Sequence, residues 1–242
     1  MNFVRNNWDK IAKEEFESYL DSIKETDEKK LNWTKRIYNT KMPVLGIKVP
    51  IIKKLAKEIN KGNAMSFLEL NLNSTFENLL INGCLIAKIK DFNLMKKYLD
   101  DYSKKIDNWA LCDCLDFEIN QKNKSNYFAL SQEYIKSEFP YTRRIGVLIW
   151  FKFINDKEYL NIILDNIPFF KNETHYYVNM ALAWFVCECF VKNREIGLLI
   201  FKNKMLNNFV NNKAIQKIKD SFRVSDEDKI LLENFKIKNK MI

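Results

Sequence analysis

The sequence predicts an all-α protein, organised as a HEAT-like or armadillo-like α-solenoid of two-helix repeats. Three observations support this fold class. Glycine and proline are scarce, at 5 and 4 of 242 residues, whereas β-rich and doubly wound folds need turn glycines at many strand ends. Apolar residues recur with helical periodicity along almost the whole chain. The long predicted helices also begin at nearly regular intervals, which is typical of helical repeats.

Five long helices are predicted from start signals and apolar patterns. Ser74-Thr75-Phe76-Glu77 is a capping-box sequence, and Asp107 and Asn172 are expected to cap the helices that follow them. The predicted helices cover 75–88, 108–119, 141–154, 173–191 and 213–222, and Pro140 precedes the third. By subtraction, their starts are 33, 33, 32 and 40 residues apart. Each interval holds one long and one short helix, so a solenoid is favoured over a generic helical bundle.

Shorter helices are predicted over 92–102, 126–136, 157–165, 194–202 and 226–235. The N-terminal third is expected to be helical over 3–23, 30–40 and 51–59, and Pro50 fits the first position of the last of these helices. The loop 41–50 either connects two helices or presents a surface to a ligand. No long linker interrupts the pattern, so one domain over 1–242 is expected.

The composition favours an anionic partner. Forty Lys and Arg against 31 Asp and Glu give a net charge of +9, and nucleic acid is the first class of partner to consider. A lysine-rich, solvated surface without a partner is the alternative. The two Gly-rich phosphate-binding motifs of nucleotide-binding folds are missing from the sequence. We therefore expect no nucleotide cofactor of those kinds, and no cofactor at all.

Cysteine and histidine usage restricts the possible chemistry. Two Cys-x-Cys pairs, Cys112/Cys114 and Cys187/Cys189, lie in helical patterns that point their side chains to different faces. We therefore interpret them as small core residues rather than metal ligands, and we expect no metal site. The one histidine, His175, is interpreted as a surface residue at a helix start. No secretory or membrane-spanning pattern is recognised, so the sequence predicts a cytoplasmic protein with reduced thiols.

Three short segments carry candidate site residues. Trp109 and Asp113 are four residues apart, one turn along one helical face, although a buried Trp and a solvated Asp would show the same spacing. Arg143 and Arg144 lie in a first helical turn, where they oppose the helix dipole. Either phosphate binding or simple solvation would account for these arginines. Trp184 lies in the most apolar helix and is at first interpreted as a core residue.

In combination, these segments resemble the bacterial DNA alkylation repair proteins with HEAT-like repeats, of the DNA glycosylase D type. Lys35-Arg36 followed by Met42-Pro43-Val44-Leu45-Gly46-Ile47-Lys48-Val49-Pro50 is similar to the N-terminal loop of that family. Trp109 and Asp113 match the catalytic Trp and Asp of that family. Arg144 matches an Arg that binds phosphate, and Ala183-Trp184 matches the second tryptophan of the family's cleft. Residues 213–219 match a late basic helix, and the resemblance covers about 30–235.

The resemblance implies a curved solenoid whose basic concave face binds double-stranded DNA, and a monomer is expected. Family enzymes hydrolyse the N-glycosidic bond of cationic N3- and N7-alkylpurines. The implied site residues are catalytic Asp113, Trp109 and Trp184, and DNA-binding Arg144, Arg143, Lys48 and Arg36.

Two positions depart from the family pattern. Cys187 stands where active members have an Arg one turn after the second tryptophan, and Lys48 replaces a polar amide. Two other functions therefore remain open. One is a non-catalytic binder of branched or distorted DNA on the same fold, and the other is a protein-interaction scaffold.

Overall fold

The computed structural model describes residues 2–238 of the chain. These residues form α-helices and two 3₁₀ helices without a β-strand, which confirms the predicted all-α class. In chain order the α-helices are α1 (Lys10–Ser22), α2 (Glu28–Tyr38), α3 (Val49–Ile59), α4 (Ala64–Glu69), α5 (Phe76–Ile86), α6 (Phe92–Lys105), α7 (Trp109–Asp113), α8 (Lys124–Tyr134), α9 (Pro140–Trp150), α10 (Lys157–Asn166), α11 (Tyr176–Lys192), α12 (Arg194–Lys202), α13 (Asn208–Lys219) and α14 (Asp226–Glu233). The 3₁₀ helices are Phe151–Phe153 and Ile167–Asn172.

Short polar side chains determine where most of these helices begin. An Asp, Asn, Ser or Thr just before the helix accepts a hydrogen bond from a backbone N–H of the first turn, which would otherwise lack a partner. The capping residues are Asp9, Asp27, Asn63, Thr75, Asp91, Asn108, Asn193, Asn207 and Ser225. Local sequence therefore positions most helix starts, as the sequence analysis assumed.

The described chain divides into two compact units between Asn120 and Gln121. In the first unit, α5 is the central helix and packs against α3, α4, α6 and α7. It is buried on all sides, with Leu79, Leu80 and Ile81 almost inaccessible to solvent. A helix that is buried on all sides belongs in the interior of a domain, and α5, whose buried side chains are mostly apolar, is the core of this unit.

In the second unit, the long helices pack in chain order. Helix α9 contacts α8 and α11, α11 contacts α12 and α13, and α13 contacts α14. Gly197 lets α12 approach α11 closely, because a Cβ atom there would lie 2.5 Å from the Cα of Phe190. This serial packing within the unit is what stacked two-helix repeats require. The curved solenoid and its basic concave face remain predictions.

Several predicted helix starts and ends are wrong in detail. Asp107 does not cap α7, because the side chain of Asn108 accepts hydrogen bonds from the first-turn N–H groups instead. That helix ends at Asp113 rather than near residue 119. The fourth long helix begins at Tyr176, because Asn172 ends the preceding 3₁₀ helix rather than capping α11. The fifth begins at Asn208, five residues before the predicted start at residue 213, and the short helix α4 was not predicted.

Two further observations concern membranes and cysteines. Within residues 2–238, no helix is both long enough and apolar enough to cross a bilayer. The five cysteines are free thiols. Both Cys-x-Cys pairs are buried, which confirms their interpretation as core residues.

Candidate functional site

Helix α7 holds Trp109 and Asp113 at its two ends. The buried amide of Asn108 fixes the start of the helix, because its oxygen accepts hydrogen bonds from Ala110 N at 3.0 Å and Leu111 N at 3.2 Å. The side chain of Asp113 is exposed and follows Trp109 by four residues. The structure thus brings these two site residues together on one face of a single helical turn.

The ring of Trp109 is held by the C-terminal end of α2. Its indole N–H donates a hydrogen bond of 3.3 Å to the carbonyl oxygen of Ile37, and its ring centroid lies 5.8 Å from that of Tyr38. Tyr38 in turn stacks on Phe76 of α5 at 4.5 Å. The indole is half-buried, so part of its surface remains accessible to a ligand.

Asp107 connects α7 to the loop after α2. Its carboxylate accepts hydrogen bonds from Thr40 Oγ1 at 2.8 Å and from Lys41 N at 2.7 Å. Sequence reasoning assigned Asp107 to a helix cap, but its partners lie 66 and 67 positions earlier in the chain. This carboxylate therefore fixes the position of α7 against the loop that begins the 41–50 segment.

The 44–48 segment is organised by Glu77, which is buried in α5. The Glu77 carboxylate accepts three backbone hydrogen bonds, from Leu45 N at 2.9 Å, Gly46 N at 2.8 Å and Ile47 N at 3.3 Å. The capping-box interpretation of Glu77 is therefore wrong: Thr75 caps α5, and the third helical residue is Asn78. Burial raises the pKa of Glu77, and the three N–H donors oppose that shift.

Gly46 takes a conformation that suits glycine alone. Its φ of +72° lies in the left-handed region, and a Cβ atom would come within 2.7 Å of Glu25 Cβ and 2.8 Å of Leu31 Cδ2. The residues after Gly46 lead into α3, where Lys48 is the exposed residue that precedes the first turn. Arg36 is exposed in the last turn of α2. Arg36 and Lys48, the two predicted DNA-binding residues of the first unit, are thus both exposed to solvent.

Arg143 and Arg144 do not form a solvated pair. Arg143 binds both carboxylate oxygens of Glu173, at 2.7 and 3.0 Å, and donates to the carbonyls of Ser137 and Glu138 at 2.8 and 2.9 Å. These contacts tie the end of α8 to the segment before α11. The Glu173 pKa lies below its ordinary value because, although burial raises it, the Arg143 guanidinium and the His175 N–H outweigh that effect.

Arg144 is almost fully buried, with 4% of its surface exposed. Its Nη1 donates a hydrogen bond of 2.6 Å to the carbonyl oxygen of Tyr177, in the first turn of α11. Both arginines therefore connect α9 to the start of α11. Arg143 does so through Glu173, and Arg144 through the carbonyl of Tyr177. Neither contact was visible in the sequence, because the partners are 30 and 33 residues away.

Trp184 is exposed rather than part of the core. It has 40% of its surface in solvent, and its ring packs on Phe151 with centroids 4.7 Å apart. Four residues later, the Glu188 carboxylate pairs with Arg223, whose Nη2 donates to Glu188 Oε1 at 2.6 Å. The predicted core interpretation of Trp184 is wrong, because the apolar helix α11 has one solvent-facing position in its middle.

Glu188, which follows Trp184 in the sequence of α11, forms an ion pair with Arg223 that sequence reasoning missed. The spacing of four between Trp184 and Glu188 was the available signal for Glu188. Cys187, the departure from the family pattern, has 4% of its surface exposed, and burial raises the pKa of its thiol to about 11. Cys187 is therefore a neutral core residue, and Glu188 is the residue four positions after Trp184.

His175 is half-buried at the start of α11, against Tyr141 at a centroid distance of 5.2 Å. Burial lowers its pKa, and within the described residues its buried Nδ1 has no hydrogen-bond partner. His175 was predicted to be a surface residue, but the structure leaves it only partly exposed. In the described part of the chain, no group of three or more His, Cys, Asp or Glu side chains could hold a metal ion.

The geometry therefore gives two sets of residues, one in each unit. The first unit holds Trp109 and Asp113 on α7 and exposes Arg36 and Lys48. In the second unit lie the remaining predicted site residues, Arg143, Arg144 and Trp184. An exposed aromatic face beside a carboxylate can stabilise a cationic group, and this combination lies on α7.

Comparison with known proteins assigns the chain to a family. No curated protein and no solved structure gives a significant match. One family model, described as DNA alkylation repair enzyme, matches residues 15–196. This span includes α7 and both tryptophans of the candidate site, and it covers most of the chain. The chain therefore belongs to the DNA alkylation repair enzyme family.

Proposed function

We propose that the protein binds duplex DNA and hydrolyses the N-glycosidic bond of cationic N3- and N7-alkylpurines. The single observation that carries this proposal is the pairing on α7 of a partly exposed indole with an exposed carboxylate one turn away. Family membership supplies the context of DNA alkylation repair. Trp184, exposed on α11, supplies a second aromatic surface of the same chemical type.

The chemistry of an alkylated purine suits a site that consists of one carboxylate and an aromatic ring. An N3- or N7-alkylpurine already carries a positive charge, so it departs as a neutral base and needs no general acid. When the bond from C1′ to the base nitrogen breaks, its electron pair goes to the base, and positive charge develops on the deoxyribose. This transition state resembles the oxocarbenium ion of other glycoside hydrolyses.

Asp113 and Trp109 act on that developing charge. The Asp113 carboxylate stabilises the sugar cation and orients the water whose oxygen bonds to C1′, and the water releases its proton to bulk solvent. The face of Trp109 contributes further, by about 0.5–2 kcal/mol for a cation–π contact. Because these groups are held in place before the reaction, they stabilise the transition state more than the ground state.

Basic side chains position the DNA backbone. Arg36 and Lys48 are exposed in the first unit, and the chain carries a net charge of +9. We assign the phosphate contacts to these two exposed residues and a positioning role to the arginine pair, because Arg143 binds Glu173 and two carbonyls, and the buried Arg144 donates to Tyr177 O. Phosphate contacts fix the register of the protein on DNA without reading sequence.

The experiment that tests the proposal measures release of free base. Duplexes containing 7-methylguanine or 3-methyladenine are incubated with the protein, and an unmodified duplex is the control. We expect free methylated base from the first two and none from the third. Binding of duplex without base release would contradict the proposal and would support a non-catalytic binder of distorted DNA.

A further inference from the structure

A cleft of about 940 Å³ lies in the second unit. It is formed by the segment 171–174, which precedes α11, and by the segment 204–209, which precedes α13. This volume is in the range of small-molecule and nucleotide sites. We call it the α11–α13 cleft.

Two exposed aromatic rings line the α11–α13 cleft. Tyr176 and Phe209 have 50% and 38% of their surface in solvent, and their ring centroids are 5.8 Å apart in an edge-to-face arrangement. Large apolar rings in a cleft are favourable surfaces for planar ligands, because every nucleobase has a face that can stack on them.

The charge of the cleft is positive. Lys171 and Lys204 are exposed at its rim. Glu173 is the carboxylate among its lining residues, and both of its oxygens are bound by Arg143. A ligand that combines planar rings with negative charges complements this surface, and nucleotides have that combination.

The backbone at Lys204 is unfavourable for a lysine. Its φ of +49° is left-handed, and its N–H donates to Phe201 O while Met205 N donates to Ile200 O, which ends α12. Glycine is the ordinary residue at such a helix end. A residue with a Cβ atom is strained there, so glycine would suit the turn better than the lysine that the chain carries.

The floor of the cleft is rigid before any ligand binds. The buried amide of Asn179 accepts a hydrogen bond of 3.1 Å from Asn207 Nδ2 and donates one of 3.0 Å to Glu173 O. Asn207 also donates to Phe170 O at 3.2 Å. These bonds link both segments of the cleft, so binding would require little reordering of the protein.

We propose that the α11–α13 cleft binds unpaired nucleotides of single-stranded DNA, with bases stacked on Tyr176 and Phe209 and phosphates beside Lys171 and Lys204. The inference rests on the proposed function for the choice of DNA as the ligand class. Trp184 follows Tyr176 by eight residues on α11, which is about 12 Å along the helix axis. A strand that leaves a duplex near Trp184 thus reaches the cleft within a few nucleotides.

The test compares three fluorescently labelled DNAs by anisotropy: a blunt duplex, the same duplex with a six-nucleotide overhang, and the overhang alone. We expect the overhang duplex to bind about tenfold more tightly than the blunt duplex. Tyr176→Ala, Phe209→Ala and Lys204→Gly should each bring this ratio towards one. Lys204→Gly is the sharpest variant, because it relieves backbone strain and should raise the melting temperature while it weakens overhang binding.

Matched controls separate the cleft from general effects of charge and exposed rings. Phe222→Ala removes an exposed aromatic outside the cleft, and Lys192→Gln removes a cation at the opposite end of α11, so both should keep the wild-type ratio. Equal affinity of the wild type for blunt and overhang duplexes would overturn the inference. A preference that survives Lys204→Gly and Phe209→Ala would overturn it as well.

The outcome is independent of base release. An overhang preference that depends on the cleft residues, in a protein that releases no methylated base, would support the cleft and contradict the proposed hydrolysis. Base release without any overhang preference would contradict the cleft alone.

Discussion

The indole N–H of Trp109 donates a hydrogen bond to the backbone carbonyl of Ile37, across 72 positions of sequence, at 3.3 Å. This bond satisfies the one polar atom of the ring, so the surface that Trp109 leaves accessible is apolar π surface. Asp113 follows Trp109 by four residues, so the backbone of α7 sets the spacing of the two residues along one helical face. The proposed stabilisation of a sugar cation depends on this fixed arrangement.

The first prediction concerns the stability of tryptophan variants. Trp184→Ala should cost about 1 kcal/mol, because its ring is already 40% exposed. Trp150→Ala, in the fully buried core of the same unit, should cost about 3–5 kcal/mol through the cavity that it leaves. Urea denaturation measures both values. A cost for Trp184→Ala equal to that of Trp150→Ala would show that Trp184 is a packing residue.

The second prediction concerns the salt dependence of DNA binding. Each neutralised phosphate of duplex DNA contributes about −0.9 to the slope of log K against log salt concentration. Arg36→Gln and Lys48→Gln should therefore each make the slope less steep by about this amount. Lys61→Gln, an exposed cation of the same unit outside the site, is the matched control. If all three variants behaved like the wild type, Arg36 and Lys48 would not contact phosphate.

The third prediction concerns the pairing of Arg143 with Glu173. Glu173→Gln should destabilise the protein by about 3 kcal/mol, because it leaves the guanidinium of Arg143 without its carboxylate in a largely buried place. The Glu173 pKa is lower in the folded chain than in the unfolded chain, so its stabilisation is present above about pH 4.3. It is lost as the pH falls through the folded value.

Urea denaturation of wild type and Glu173→Gln between pH 7 and pH 3 measures this contribution. The difference in unfolding free energy between the two proteins should shrink as the pH falls. A difference that stays constant over that range would show that the charge of Glu173 does not stabilise the fold.

The fourth prediction concerns Glu77 and the loop after α2. Glu77→Ala leaves three backbone N–H groups without their acceptor, and at about 1–3 kcal/mol for each buried donor the loss should be at least about 3 kcal/mol. Glu77→Gln keeps one acceptor oxygen and should cost less. Hydrogen exchange at Leu45, Gly46 and Ile47 should accelerate in both variants. Unchanged exchange at these amides would contradict the assigned role of Glu77.

Local signals in the sequence were sufficient for the fold class and for several helices. The predicted helix 194–202 has the bounds of α12, because the side chain of Asn193 caps its first turn and an apolar pattern continues to its end. The predicted helix 108–119 was too long, because an apolar sequence continues after Asp113 although the chain leaves the helix there. Periodicity predicts where a helix can form, but tertiary packing determines where it ends.

The residue types of the site were also recognisable, but their partners were not. Trp109 and Asp113 share one turn, so their proximity followed from spacing alone. The contacts of Arg143 with Glu173 and of Glu77 with Gly46 join positions about thirty residues apart. No local pattern carries that information. For this reason sequence reasoning assigned a capping role to Glu77. For Arg143 it left open whether the side chain binds phosphate or is simply solvated.

The fifth prediction concerns the charge of Asp113. Asp113→Asn keeps the size of the side chain and removes its negative charge, so excision should fall by about 10²–10³, the loss typical of one preorganised electrostatic group. Affinity for the DNA should hold or rise, because a carboxylate near phosphates is repulsive in the ground state. A loss of rate without a loss of binding is the signature of transition-state stabilisation.

The most direct measurement of the central claim is the single-turnover rate of 7-methylguanine release from duplex DNA, compared between wild type and Asp113→Asn at saturating protein. The account predicts release by the wild type and a rate lower by about 10²–10³ in the variant, with DNA affinity retained. Equal rates, or no release by the wild type, would contradict it.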